Sequence, residues 1–183
     1  MPIGDNDNEL WDIYDRERQL LGYTRRRGEL LQPGEYHLVV HVCIFNSKGE
    51  LLIQKRQSWK RGYPKMWDVS VGGSATTGDD SRRAAQREAA EELGLELDLS
   101  QEMVRFTFNW AQGFDDYWLI KRDVDLSELH LQYEEVADAK WADRAEVARL
   151  VAAGEFVPYF FIDRIFDIYE GDGAIDDVWD RQV

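Results

Sequence analysis

Cysteine is nearly absent from this chain. Its 183 residues hold one, Cys43, so no internal disulfide can form, and the expected setting is a reducing cytoplasm. Long apolar runs are missing as well. The opening MPIGDNDNELWD is acidic and carries none, which predicts neither a secretory signal nor a membrane span. Positive charge is in short supply: 22 Lys and Arg stand against 36 Asp and Glu, a net charge of -14. Broad binding to nucleic-acid phosphates needs a basic surface, so that class of partner is not expected. A small phosphate substrate must then arrive with a metal or meet a local basic patch. Internal repeats and low-complexity linkers are also lacking, and one domain over residues 1–183 is the economical reading, with a strand-and-loop extension over about 1–35 and an acidic tail over about 171–183. What the chain does have is apolar bulk. A hydrophobic share of 44 %, with seven Trp, eight Tyr and eight Phe, is ample for a packed core.

Strand signals dominate the middle of the chain. HLVVHVCIF (His37 to Phe45), a turn at Asn46-Ser47-Lys48-Gly49, and LLIQKR read as a hairpin. WDVSV (Trp67 to Val71) predicts a short strand running into a glycine loop, and Val104, Phe106, Phe108 and Trp110 alternate as one face of another. Tyr117 to Lys121 and Lys140 to Asp143 are shorter candidates. Helices are expected over Arg144 to Ala153, ended by Gly154, and over Pro158 to Tyr169, where a proline suits the first turn. This pattern alone supports a layered α/β domain of the α+β type.

The segment from Gly73 to Leu95, GSATTGDDSRRAAQREAAEELGL, carries the chemistry. At 100° per residue, Glu88, Glu91 and Glu92 leave a helix within one sector and face the same solvent. Like charges at that spacing cost about 0.2–0.5 kcal/mol per pair, a cost that a hard cation removes. Mg2+ and Mn2+ favour oxygen ligands and keep several waters, so three carboxylates plus substrate phosphate oxygens suit either ion. Arg87 lies four residues before Glu91 and can hold it, with Asp79 as the competing partner. Asp79, Asp80 and Ser81 suit a helix start, Gly94 a left-handed cap, and Gly72 and Gly73 a close approach of backbone to ligand.

These residues resemble the Nudix box: Gly73, Asp79, Arg87, Glu88, Ala89, Glu91, Glu92, Gly94 and Leu95 stand at its spacing. Asp79 departs from it, since the family usually has glutamate there, and its reach is one methylene shorter. The resemblance implies the Nudix fold, a mixed sheet sandwiched between helices, with the box forming a loop, helix and loop at the active site. It implies Glu88, Glu91, Glu92 and the Gly73 carbonyl as ligands of Mg2+, or of Mn2+, and a diphosphate as substrate. Catalytic roles are expected at Glu92, Arg87 and Glu135, with Glu134 beside the last as its alternative.

A finer resemblance is to the branch containing isopentenyl-diphosphate isomerase, carried by HLVVHVCIFNSKGELLIQKR, PKMWDVSVGG and EEVADAKWADRAEV. Gly72 stands where the isomerase has its catalytic cysteine. Of the residues implied for that enzyme's additional metal site, only the first histidine is kept, as His37; Ser74, Phe114 and Asp116 occupy the rest. The leading expectation is therefore a hydrolase of a nucleoside diphosphate linked to another moiety, ahead of an isomerase and of a silent nucleotide sensor.

Substrate phosphate is expected on the basic stretch between Lys55 and Lys65, with Arg56, Arg61 and Lys65 as candidates and Lys60 among them; Arg25, Arg26 and Arg27 form a smaller cluster. Trp59, Tyr63 and Trp67 interleave with the first group as stacking candidates. His37, His41 and Cys43 share one strand face with Val39 and Phe45, which favours packing over a metal site. The aromatic run from Pro158 to Tyr169 closes either the core or a homodimer contact.

Overall fold

The computed structural model describes residues 8–171; the stretches 1–7 and 172–183, most of the acidic tail among them, lie outside the described residues. The chain opens with a hairpin of β1 (Leu10–Tyr14) and β2 (Leu20–Arg26), which form a two-stranded sheet. β3 (His37–Phe45), β4 (Leu51–Arg56), β5 (Trp67–Asp68) and β6 (Val71–Ser74) follow, then α1 (Ser81–Leu93). β7 (Phe106–Trp110), β8 (Gly113–Lys121), a short 3-10 turn at Leu126–Glu128, β9 (Val136–Ala142), α2 (Arg144–Ala152) and α3 (Ile165–Glu170) complete it.

β3 organises the seven-stranded mixed sheet. It runs parallel to β8 along its whole length, from His37↔Gly113 to Phe45↔Lys121, while its other edge is shared. Strand period two splits its side chains between two cores. Leu38, Val40, Val42 and Ile44 meet Ala84, Ala85, Ala89 and Leu93 of α1; Cys43 and Phe45 meet Val147, Leu150, Ile165 and Phe166 of α2 and α3 on the opposite side. The sheet is thus sandwiched between helices, as the resemblance implied.

Three expectations change in detail. The β3–β4 hairpin pairs at Phe45↔Leu51, after which β6 takes the β3 edge from Val39 to Val42 and β9 takes an edge of β4. Ser70 sits where the strands part: its Oγ accepts from the Ile44 N–H (2.8 Å) and donates to the Leu52 carbonyl (2.5 Å). The same hydroxyl splits WDVSV into β5, paired with β4, and β6, paired with β3. The expected helix from Pro158 to Tyr169 shortens to α3. Before it, Tyr159 Oη donates to Asp68 Oδ1 (2.7 Å) and Phe161 enters the core against Tyr117 and Phe108, side-chain directions that one continuous helix face does not offer. That run therefore mostly closes the core, although Phe160 is 80 % exposed.

The N-terminal hairpin is clasped to the sheet. Arg18 donates twice to the carboxylate of Asp116 (3.0 and 2.7 Å), which is 1 % exposed and also accepts from Thr107 Oγ1 (2.6 Å). Arg25 and Tyr23 hold Glu35 in the same way. No helix of the described residues is long and apolar enough to cross a membrane.

Candidate active site

α1 forms where the sequence placed it. Asp80 caps it by accepting from the Arg83 N–H (2.8 Å), and Gly94 ends it at φ 70°, the left-handed cap. With Ala84, Ala85, Ala89 and Leu93 turned to the sheet, the carboxylates are left along the flank that meets the glycine loop. Glu88, Glu91 and Glu92 line one cavity of about 390 Å3 together with Gly72 and Gly73.

The three are not equivalent, and the expectation that all face solvent is corrected. Glu91 is half-exposed, Glu88 is mostly covered, and Glu92 is 5 % exposed. Glu92 Oε2 accepts from Gln54 Nε2 on β4 (2.8 Å). Burial, reinforced by Glu88, pushes its pKa well above the carboxylate range; burial also pushes Glu88 up to about 7, against the pull of Arg87. Both are carboxylates whose ionised forms burial disfavours.

Arg87 stands behind the cluster. It reaches Asp79 (3.0 Å), Glu88 (2.9 Å), Glu91 (3.1 Å) and the Ser74 carbonyl (3.0 Å), and Glu88 and Asp79 keep the guanidinium charged despite its burial. The short Asp79 side chain therefore does reach its arginine. It also accepts from Thr76 N and Oγ1, closing the loop onto the helix start. Arg87 is a tether that orients two carboxylates; it does not line the cavity.

Two observations bear on the fit of a divalent cation here. Gly73 lies against Glu88 so closely that a Cβ there would overlap the Glu88 carboxylate in its present rotamer. The buried carboxylates carry a desolvation cost that a dication offsets. Among the described residues no three acids, histidines or cysteines already converge on one point, because Glu88 turns to Arg87 and Glu92 to Gln54. The donor set is nonetheless all oxygen, open on one side, and suited to a hard ion that retains water.

Across the cavity, two loops are joined. Gln57 donates its backbone N–H to Glu135 O (3.0 Å) and its amide to Tyr133 O (2.8 Å), and Trp59 Nε1 donates to Glu134 O (3.0 Å). This brings Lys60, buried, into an ion pair with Glu135, and both line the cavity. Glu134 is exposed, so of the two adjacent acids Glu135 is the one turned inward.

The sequence candidates for phosphate are placed elsewhere. Arg56 is taken by Asp68 Oδ2 (3.0 Å) and the Gly62 carbonyl, and neither it, Arg61 nor Lys65 lines the cavity. The cations that do are Lys60 and Arg27, the latter paired with Glu9 (2.7 Å) across the hairpin. Arg27 was legible only as part of a cluster, because the hairpin register that aims it inward is a tertiary property. Two of the three stacking candidates are used structurally, Trp67 buried beneath Lys140 and Trp59 packed on Tyr133, while Tyr63 is exposed and does not line the cavity. His37 stacks on Trp11 and His41 on Tyr117, with Cys43 fully buried, so this trio is packing and not a metal centre.

Comparisons with known proteins identify the family. The NUDIX domain model matches residues 35–160. An uncharacterized Nudix hydrolase of Listeria monocytogenes is 53 % identical over 160 residues, 87 % of this chain and 95 % of that protein. Isopentenyl-diphosphate Delta-isomerase of Shigella flexneri is 31 % identical over 124 residues, 64 % of this chain and 67 % of that protein. Among solved structures, a protein of Deinococcus radiodurans superposes with a TM-score of 0.69 at 22 % identity, covering 87 % of this chain and 98 % of its own. The fold, the carboxylate helix and these relatives together mean that the chain belongs to the Nudix hydrolase family.

Proposed function

We propose that this chain hydrolyses the diphosphate linkage of a nucleoside diphosphate joined to another moiety, using Mg2+ or Mn2+. The observation that carries the reading is the cavity that Glu88, Glu91 and Glu92 line, with Glu88 against Gly73. Nudix hydrolases generally need a divalent cation, and here Glu88, Glu91, Glu92 and the Gly73 carbonyl would hold it. When bound, such an ion neutralises charge on the phosphates and lowers the pKa of water.

The chain's own residues supply the rest. Glu135, which lines the cavity, would accept the proton of the attacking water at a carboxylate oxygen, and Glu92, whose pKa is raised by burial, is the second acid of the lining. Lys60 and Arg27 line the cavity as the cations that orient phosphate oxygens, offsetting the acidity of its walls. In the free protein Lys60 neutralises Glu135, which keeps the base in place and carboxylic repulsion low until substrate enters. Arg87 and Asp79 fix the carboxylate rotamers without touching substrate.

Isomerisation of a prenyl diphosphate is disfavoured by the same geometry. Gly72 lines the cavity with no thiol, and Cys43, the one cysteine, is fully buried in the core beneath α2 and α3, where burial pushes its pKa well up. Phosphorus NMR with Mg2+ and a panel of nucleoside diphosphate sugars, dinucleotides, nucleotides and isopentenyl diphosphate tests the proposal. Metal-dependent diphosphate cleavage that is lost in Glu92→Gln is the expected result; double-bond migration without phosphate loss, seen by proton NMR, overturns it.

A further inference from the structure

β7 ends the seven-stranded sheet, and among the described residues only β8 pairs with it. Its outer edge is open. Ala111 and Gln112 alone separate the Trp110↔Gly113 pair, and a two-residue hairpin loop makes its flanking pair a hydrogen-bonded one. Alternation then gives the backbone groups of Trp110, Phe108 and Phe106 to β8 and turns the N–H and C=O of Thr107 and Asn109 outward. At the far end the Arg105 N–H also reaches the carbonyl of Tyr117 (2.8 Å), the residue opposite Phe106, so a bulge bounds the usable edge at Phe106 to Trp110.

Edge strands are commonly blunted by charged side chains, Lys above all, or by Pro. FTFNW carries neither, although 32 % of the chain is charged. Phe106, Phe108 and Trp110 share one face of the strand; Trp110 is 42 % exposed, and Phe160, 80 % exposed, stands edge-on to Phe108 with centroids 4.8 Å apart. Two chains of net charge -14 repel each other, and an uncharged edge adds nothing to that repulsion. The strand is also complementary to itself. Run antiparallel to its own copy and centred on Phe108, it sets Phe108 against Phe108, Phe106 against Trp110 and Thr107 against Asn109, so every aromatic side chain faces an aromatic one across the join. The same register makes Thr107 and Asn109, whose backbone groups point outward, the hydrogen-bonded pairs, each exchanging both N–H···O bonds. A register shifted by two residues loses one of those pairs.

We infer that the outer edge of β7 docks the same edge of a second copy of this chain, antiparallel and two-fold symmetric about Phe108, so that one sheet runs through both copies with the two Phe160 rings on the same side of the join. The contact is small, one short strand and a few rings from each copy, and belongs to the weak end of specific association, with a dissociation constant of about 10 µM. None of its residues lines the carboxylate cavity, and the association is independent of what that cavity cleaves.

The test is sedimentation of the full chain across about 1 to 300 µM, in salt high enough to screen the repulsion between copies. The expected result is a rise in apparent mass from 21.4 kDa toward twice that value as concentration increases; a chain that stays at 21.4 kDa throughout overturns the inference. Asn109→Pro removes an outward N–H at an edge position where proline is tolerated, and should weaken association at least about ten-fold. Should that variant fold poorly, a nitroxide on Asn109→Cys reads the register directly, because Cys43 is fully buried and stays unlabelled. In the two-fold register the labelled Cα atoms are about 8 Å apart, and the resulting dipolar broadening should vanish on dilution with unlabelled chain. Unchanged affinity in a folded Asn109→Pro, or a dimer without broadening at position 109, overturns the inference. So does broadening from a nitroxide on Val151→Cys, which lines the groove between α2 and α3 and would place the contact there.

Discussion

Replacing Glu92 by Gln separates stability from activity. The native carboxylate is 5 % exposed, accepts 2.8 Å from Gln54 Nε2, and has a pKa raised by burial and by Glu88. A group whose folded pKa lies above its unfolded value stabilises the fold fully below the unfolded value, and that stabilisation is lost as pH rises through the folded one. Gln does not titrate. Its Oε1 can keep the Gln54 hydrogen bond, and its amide can donate toward the remaining acids. In EDTA the variant should therefore be at least as stable as wild type at pH 6 and more stable at pH 8, by about 1 kcal/mol or more, or ~2–4 °C in Tm per kcal/mol. Mg2+ should raise the wild-type Tm and leave the variant nearly unmoved, while kcat/KM falls by at least about 100-fold. Differential scanning calorimetry at two pH values, with and without Mg2+, reads the stability effects, and a turnover assay reads the other. A variant less stable than wild type in EDTA at pH 8 would refute the account of Glu92 as a disfavoured charge kept for its ligand.

Gly73→Ala places a Cβ onto the Glu88 carboxylate, so that carboxylate must shift from its present position; Mn2+ affinity measured by electron paramagnetic resonance should fall about ten-fold, and unchanged affinity would speak against Glu88 in the ligand set. Asp79→Glu should not raise the rate, because Asp79 already reaches Arg87 at 3.0 Å; a clear gain in kcat would show that the shorter acid limits catalysis. His37 is buried and neutral, its pKa lowered to about 4 by burial from an ordinary value near 6.5, so the unfolded chain binds its proton first. Stability should drop by about 3 kcal/mol as pH falls from about 6.5 to about 4, at roughly 1.4 kcal/mol per pH unit, and urea titrations of His37→Phe should lack that loss; parallel acid limbs for both proteins would contradict the burial argument.

Local information was legible and convergence was not. Spacing on one helix was enough to place Glu88, Glu91 and Glu92 on a common flank, to start α1 near Asp80 and to end it at Gly94, because helix geometry and capping act within a few residues. The sheet core on β3 was equally readable, since alternation alone separates Leu38, Val40, Val42 and Ile44 from Cys43 and Phe45. Which basic residues meet the carboxylates depended on contacts distant in sequence. Lys60 reaches Glu135 because Gln57 and Trp59 tie their loop to residues 133–136, whereas Arg56, equally basic and four residues earlier, is consumed by Asp68. The same holds for aromatic residues: sequence left Trp67 open between stacking and core, and the structure buries it, while Trp59 packs on Tyr133.

Trp11 and Trp110 carry no local mark of their meeting, being far apart in sequence and each plausible as core. Their meeting follows from two registers, Trp110↔Gly113 in the β7–β8 pair and His37↔Gly113 in the parallel β3–β8 pair, which bring the end of β7 to the start of β3, where β1 then covers His37. Period-two patterning predicts the faces of each strand but is indifferent to its offset against a partner, and here that offset decides which rings meet His37. The carboxylate helix is therefore set by short-range spacing shared with the family, whereas the aromatic cleft of Trp11, His37 and Trp110 is set by strand register and the N-terminal hairpin outside residues 35–160. Exchanging β1 and β2 for those of another family member should therefore displace Arg27 and Glu9 from the carboxylate cavity while α1 keeps its three glutamates, and unchanged kcat and KM in such a chimaera would refute a role for Arg27 in holding substrate.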